Sequence, residues 1–113
     1  MPYIATTSNV SISGRKKEAI KERMGKAIEL IPDKTEAWLM LSFRDGVDMY
    51  FRGEDDPCAI CQVKLFGTAD EENYADLTEA LTDILREELD IDPDRIYVVY
   101  DEVKTWGWNG GNL

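Results

Sequence analysis

The chain has 113 residues, of which 43% are hydrophobic and 32% are charged, a balance that predicts one globular domain over residues 1–113 and disfavours intrinsic disorder. Its formal net charge of -10 at pH 7 disfavours nucleic acid and anionic membranes as partners. Because histidine is absent, Ser/His/Asp and Cys/His catalytic arrangements and histidine-ligated metal sites are excluded.

The first half of the chain has the pattern of a β-α-β unit. A strand is predicted over Tyr3–Ser8, and a helix over roughly Gly14–Leu30, where apolar side chains recur at helical spacing. Pro32 ends this helix, and a second strand is predicted over Trp38–Phe43. Met49–Phe51 is a candidate for a short additional strand.

The second half repeats this order of elements. A strand is predicted over Cys58–Phe66, followed by a helix that Thr68 or Asp70 caps and that runs to about Leu89. A fourth long strand follows over Ile96–Val103. Two β-α-β units with right-handed crossovers predict an α+β fold, in which a four-stranded mixed sheet carries both helices on one face.

The second face of this sheet needs a cover. On the second strand, Trp38 and Met40 alternate with Leu39, Leu41 and other apolar residues, so both faces read as largely apolar. A sheet with one solvated face should alternate more cleanly. Since the chain predicts no third helix, we expect an oligomer to bury the second face.

Cys58 and Cys61 form a Cys-x-x-Cys pattern, which invites a redox interpretation. On a strand, however, residues three apart face opposite sides and lie about 10 Å apart, whereas a disulfide needs Cα atoms within about 7 Å. We therefore favour buried packing cysteines, with a thiol oxidoreductase as the weaker alternative. Two thiols without histidine also disfavour a zinc site.

Several short runs occur in a specific order along the chain. They include Met1-Pro2 at the start, Asp56-Pro57-Cys58-Ala59 before the third strand, the PDRIY run Pro93–Tyr97, and the GWNG run Gly107–Gly110. Together these runs closely resemble the macrophage migration inhibitory factor family of the tautomerase superfamily, in its microbial form. The resemblance covers the whole chain. It implies a homotrimer, whose neighbouring subunits would cover the second sheet face.

The resemblance also implies a keto–enol tautomerase of phenylpyruvate-like 2-oxo acids, with the amine of Pro2 as general acid/base after removal of Met1. Lys34 and the backbone N–H of Phe66 would bind the substrate carboxylate, and Tyr97 would come from the neighbouring subunit. Burial or a nearby cation lowers an amine's pKa from its ordinary range of about 7.7 to 8.0, which would make a general base at neutral pH. Taken alone, the proline is merely a strand start.

Four aromatic residues, Tyr3, Trp38, Trp106 and Trp108, are expected to form the pocket rim, although inter-subunit packing is the alternative role for them. Val99 stands where vertebrate members of the family have asparagine, so a polar contact to a substrate hydroxyl would be lost. Hydroxyphenylpyruvate would therefore gain little over phenylpyruvate. The resemblance implies no metal and no organic cofactor.

Two other functions compete with this interpretation. One is a cytokine-like ligand that binds a host receptor with little or no physiological catalysis. The other is a related dehalogenation or decarboxylation, which usually needs extra arginines; Arg44, Arg52 and Arg95 are present, but none is placed at the pocket mouth. The N-terminal residues have neither the basic leader nor the apolar h-region of a signal peptide, so no signal peptide is predicted. We expect a cytoplasmic protein, with export without a signal peptide as the alternative.

Overall fold

The computed structural model describes residues 1–113 and contains two β-α-β units, as the sequence predicts. One-turn 3₁₀ helices cover Ile28–Leu30, Glu36–Trp38 and Pro93–Arg95. The helices and strands are β1 Pro2–Ser8, α1 Gly14–Ala27, β2 Met40–Arg44, β3 Ala59–Phe66, α2 Glu71–Leu89, β4 Ile96–Val103, β5 Gly107–Trp108 and β6 Gly111–Asn112.

The main sheet is mixed and has the strand order β2-β1-β3-β4. The outer pairs, β1 with β2 and β3 with β4, are parallel, as each crossover helix requires. The central pair of β1 and β3 is antiparallel, and Pro2 lies opposite Leu65. The start of β1 therefore lies beside the end of β3, which brings the chain start to Phe66.

Local signals set the two helix starts. The Ser13 hydroxyl accepts a hydrogen bond of 3.2 Å from the backbone N–H of Lys16, which caps α1. Asp70 is the N-cap of α2, and its backbone N–H donates to the Asn73 side chain at 3.4 Å. Of the two predicted caps, Asp70 is the one that the structure uses.

One hydrophobic core lies between the sheet and the two helices. Strands β1 and β3 alternate, burying every second side chain against the helices, whereas β4 buries only Ile96 and leaves Val98 and Tyr100 half-buried. The core cluster has 18 buried residues, among which the larger fully buried side chains are Ile4, Ile20, Met24, Ile28, Ile31, Leu65, Leu77, Leu81, Leu85 and Ile91.

The structure corrects two predicted strands. The second strand begins at Met40, because Trp38 lies in a one-turn 3₁₀ helix. Met49–Phe51 forms no strand; only Phe51 makes an isolated bridge, with Glu54. Their backbones exchange hydrogen bonds of 2.9 and 3.1 Å across a tight turn, so the chain folds back on itself instead of extending along the sheet.

The open face of the sheet is mixed, which corrects the expectation of two largely apolar faces. It exposes apolar side chains such as Met40, Tyr97 and Val99, but it also carries an ion pair of 3.1 Å between Lys64 and Asp101. The helix-covered face is apolar, as expected. Neither helix is both long enough and apolar enough to cross a membrane.

Candidate active site

A cavity of about 610 Å³ opens at the start of β1. Its walls come from the chain start, from the segment that leads into β2 and from the C-terminal hairpin. Eight of its ten lining residues are hydrophobic: Met1, Pro2, Tyr3, Ala37, Trp38, Leu39, Met40, Trp106, Gly107 and Trp108 line it.

Five of the residues predicted for the site meet at this cavity, namely Pro2 and the four aromatic rim residues. The indole rings of Trp38 and Trp108 pack edge to face, with centroids 5.1 Å apart and planes at 87°. This is a preferred geometry for aromatic pairs. These four aromatic residues therefore meet at one cavity within a single chain.

The C-terminal hairpin places Trp108. Strands β5 and β6 pair through a two-residue turn, in which Asn109 and Gly110 have φ angles of 53° and 82°. Such a turn needs φ > 0 at both residues, and Asn-Gly is the sequence that favours it. The backbone N–H of Leu113 donates to the Trp106 carbonyl at 2.9 Å, which closes the hairpin.

The hydroxyl of Tyr3 lies on the open face and is 2.7 Å from the Ser42 hydroxyl of β2. In the parallel register, Tyr3 lies opposite Met40, the first residue of β2. Sequence reasoning missed Met40, together with Ala37 and Leu39. Correct register between β1 and β2 would have identified Met40, because residues paired with a site strand lie beside the site.

Polar contacts join the chain start to Lys34 and Phe66. The backbone N–H of Phe66 donates to the Met1 carbonyl at 3.0 Å, and the Lys34 ammonium donates to the Phe66 carbonyl at 3.0 Å. Partial burial, and then the charge and hydrogen bond of Lys34, lower the pKa of the Met1 α-amine from 8.0 to about 6. This amine is therefore largely neutral at pH 7.

Tyr97 lies elsewhere in the chain. It is the second residue of β4 and lies opposite Ile60, whereas Pro2 lies opposite Leu65 near the other end of β3. Its side chain is 57% exposed and packs edge to face on Phe51, with centroids 5.1 Å apart. Within one chain, the structure does not bring Tyr97 to Pro2.

Both cysteines are free thiols buried in the fold. Burial raises the pKa of the Cys61 thiol to about 11, and its sulfur lies 3.5 Å from the Thr6 hydroxyl. A thiol with this pKa is a poor nucleophile at neutral pH, so the packing role that the strand spacing predicts fits better than a redox role. No group of three or more Cys, Asp or Glu side chains is arranged to hold a metal ion.

The structure combines a mixed four-stranded sheet under two helices with a chain start that lies in an aromatic pocket near a lysine. A family model described as Macrophage migration inhibitory factor (MIF) matches residues 1–113. The chain therefore belongs to the macrophage migration inhibitory factor family. Membership supports tautomerase chemistry in general, without a specific substrate.

Relatives and solved structures agree with this assignment. The chain is 28% identical to a macrophage migration inhibitory factor homolog of Brugia malayi, over 100% of this chain and 99% of that protein. It is 26% identical to the D-dopachrome decarboxylase of Mus musculus, over 94% and 90%. The crystal structure of Leishmania major MIF2 matches with a TM-score of 0.94 at 28% identity, covering 100% of this chain and 97% of that one. A homologue from Prochlorococcus marinus matches with a TM-score of 0.88 at 29% identity, covering 97% of each chain.

Proposed function

We propose that this protein is a keto–enol tautomerase of phenylpyruvate-like 2-oxo acids, in which the amine of Pro2 acts as general acid/base after Met1 is removed. The observation that carries the proposal is the position of Pro2. It is buried at the start of β1, lines an aromatic cavity, and adjoins a chain-start amine whose pKa burial and Lys34 lower to about 6.

The environment supplies a base that is neutral at physiological pH. Once Met1 leaves, the secondary amine of Pro2 becomes the chain start, at a residue that is buried and that lines the aromatic cavity. Desolvation and the positive charge of Lys34 then disfavour its protonated form, so we expect its pKa to fall below the ordinary range of about 7.7 to 8.0. A neutral amine of this kind is a competent general base.

The groups around Phe66 suit a carboxylate. Removing Met1 deprives the Phe66 N–H of the carbonyl that it now contacts, and the Lys34 ammonium lies 3.0 Å from the Phe66 carbonyl. A backbone donor and a point charge would thus face the substrate from one side. In a protein with a net charge of -10, this local cation sets the preference for an anionic substrate.

The aromatic walls would bind the aryl group beside the reacting carbon. In the enolisation direction, the Pro2 nitrogen removes a proton from the benzylic carbon, and that electron pair forms the carbon–carbon double bond while the carbonyl π electrons move to the 2-oxo oxygen. The protonated Pro2 amine then returns the proton to that oxygen, so the enzyme is regenerated with no net gain of a proton. The reverse steps return the keto acid. Trp38 and Trp108 present an edge-to-face pair that suits an aromatic guest.

We further propose a homotrimer, in which Tyr97 of one copy completes the pocket of the next. Strands β2 and β4 are the sheet edges and have no further partner within the chain, and Tyr97 is more than half exposed. In that arrangement the apolar Val99, 44% exposed on the same face, gives a substrate hydroxyl no hydrogen bond. A stable monomer at micromolar concentration in light scattering would contradict the assembly.

The test is the rate of phenylpyruvate enol–keto conversion in protein shown by mass spectrometry to begin at Pro2. A Pro2→Gly variant should lose at least about a hundredfold in rate, the low end for loss of a general base. Leu30→Ala, at a side chain that is 41% exposed and outside the cavity, is the control and should keep full activity. No rate above buffer in the processed protein would favour receptor binding over catalysis.

A further inference from the structure

We propose that Phe51, held by Arg95, is a positioning residue that fixes the orientation of Tyr97 and thereby sets substrate affinity in the pocket that Tyr97 serves. This inference rests on the proposed function, because it assigns a role in the same site. Neither Phe51 nor Arg95 was identified as a site residue from the sequence.

Arg95 organises the loop that carries Phe51. Its side chain is buried, and Nε donates to the Pro57 carbonyl at 2.9 Å. Nη1 donates to the carbonyl of Phe51 at 3.2 Å, and Nη2 donates to the carbonyls of Glu54 and Asp56 at 3.2 and 3.0 Å. One guanidinium thus spans four backbone carbonyls of residues 51–57.

Arg95 has no carboxylate partner, so its buried positive charge depends on backbone carbonyls as hydrogen-bond acceptors. The neighbouring Asp94 carboxylate pairs with Arg52 instead, at 3.2 Å. A buried cation is tolerated only when its donors are satisfied, and here backbone carbonyls satisfy them. The planar fork of arginine can contact several acceptors in fixed directions, which a lysine ammonium cannot reproduce. The loop conformation is therefore tied to Arg95.

The Phe51 ring links the loop that Arg95 holds to the ring of Tyr97. The guanidinium carbon of Arg95 lies 5.2 Å from the Phe51 ring centroid, and the Tyr97 ring meets Phe51 at 5.1 Å and 79°. Phe51, whose ring centroid also lies 5.1 Å from the guanidinium carbon of Arg52, is thus held between the buried guanidinium of Arg95 and the phenol of Tyr97. Both contacts are favourable aromatic geometries.

Free space lies beside the Phe51 and Tyr97 rings, so the position of the Tyr97 ring depends on its contact with Phe51. A cavity of about 150 Å³ adjoins both rings and is mostly apolar. If the Phe51 ring were shortened, the Tyr97 ring would have room to tilt toward the loop and away from a partner's pocket. A Tyr97 side chain with such freedom would form a poorly ordered wall of the partner's pocket.

The experiment compares Phe51→Leu with Phe51→Tyr in processed protein. Leucine keeps the apolar bulk and removes the ring, whereas tyrosine keeps the ring. We expect Phe51→Leu to raise KM for phenylpyruvate about three- to tenfold with kcat within about twofold, because a contact made equally in ground and transition states affects KM alone. Phe51→Tyr should stay close to the parent protein.

A double-mutant cycle separates positioning from general packing. If Phe51 acts through Tyr97, the KM effect of Phe51→Leu should vanish in a Tyr97→Leu background. Where Phe51→Leu fails to fold, Phe51→Met replaces it, since methionine fills irregular apolar space without a ring. Thermal melting and light scattering verify that each variant folds and assembles like the parent.

The outcomes distinguish the two proposals. An inactive processed parent protein would overturn the proposed function itself. An active parent, a Pro2→Gly variant without activity and an unchanged KM in Phe51→Leu would overturn only the positioning role. A KM effect that persists undiminished without Tyr97 would also overturn it and would leave Phe51 as a loop-packing residue.

Discussion

The backbone N–H of Phe66 and the carbonyl oxygen of Met1 lie 3.0 Å apart and form a hydrogen bond. Met1 thereby takes up the donor that we assign to the substrate carboxylate. Its peptide bond also turns the Pro2 nitrogen into an amide, which cannot act as a base. Removal of Met1 therefore frees the Phe66 N–H for the substrate and, in the same step, converts the Pro2 nitrogen into an amine.

Protein that retains Met1 should consequently be inactive as a tautomerase. We expect a loss of at least about a hundredfold in kcat/KM, the size of effect for a missing general base. The comparison needs chains made with a methionine aminopeptidase inhibitor and processed chains, each verified by intact mass. Treating the retained chains with the aminopeptidase should restore the rate; full activity before that treatment would contradict the role of Pro2.

Replacing Lys34 by alanine should shift the pH dependence of the reaction upward. Burial, and then the charge of Lys34, lower the pKa of the Met1 α-amine, and we expect the same two causes to lower the pKa of the Pro2 amine in processed protein. Loss of Lys34 would then raise the pKa of Pro2 and leave more of that amine protonated at pH 7. The acidic limb of the kcat/KM profile should move toward the ordinary range of about 7.7 to 8.0. Lys34→Arg keeps the charge and is the matched control; identical limbs in all three proteins would refute this electrostatic role.

The two thiols should be unreactive in the native state. Cys58 and Cys61 are 3% and 0% exposed, and burial raises the pKa of Cys61 to about 11. We expect a thiol reagent such as Ellman's to detect neither cysteine until denaturant is added, and both afterwards. Rapid labelling of the native protein, or a disulfide in its non-reduced mass spectrum, would revive the redox interpretation.

The core between α2 and the sheet should dominate stability. Leu77 is fully buried in the core cluster, so Leu77→Ala should lower the free energy of unfolding by about 2–5 kcal/mol. Leu30 is 41% exposed, and Leu30→Ala should change the free energy of unfolding by less than about 0.5 kcal/mol. Urea denaturation followed by circular dichroism measures both; equal effects would mean that burial in this fold does not decide stability.

Much of the fold could be predicted because its signals are local. The apolar stripe of α2, with Tyr74, Leu77 and Leu81, is the buried face of that helix, and the strand alternation of β3 matches its burial. The aromatic rim of Trp38, Trp106 and Trp108 was likewise predicted and lines one cavity. These features depend on periodicity, or on a resemblance that covers the whole chain.

The features that the sequence did not predict depend on long-range contacts and on strand register, which the periodicity of the sequence does not reveal. Trp38 lies in a 3₁₀ turn, in which its backbone N–H donates to the Thr35 carbonyl at 3.2 Å, and the chain pairs with β1 only from Met40 onward. Arg95 looks like an ordinary surface residue of a turn, yet four distant carbonyls bury it. The mixed open face follows from which residues share one side of all four strands, and that needs register.

The positions of the tryptophans also determine how ligand binding to this protein can be measured. Trp38, Trp106 and Trp108 are the three tryptophans of the whole chain, and all of them line one cavity. Intrinsic indole emission is therefore a probe of this cavity alone, with no background from the rest of the fold. A molecule entering it should quench or shift that emission, so affinity can be titrated without a label, even for compounds that do not react.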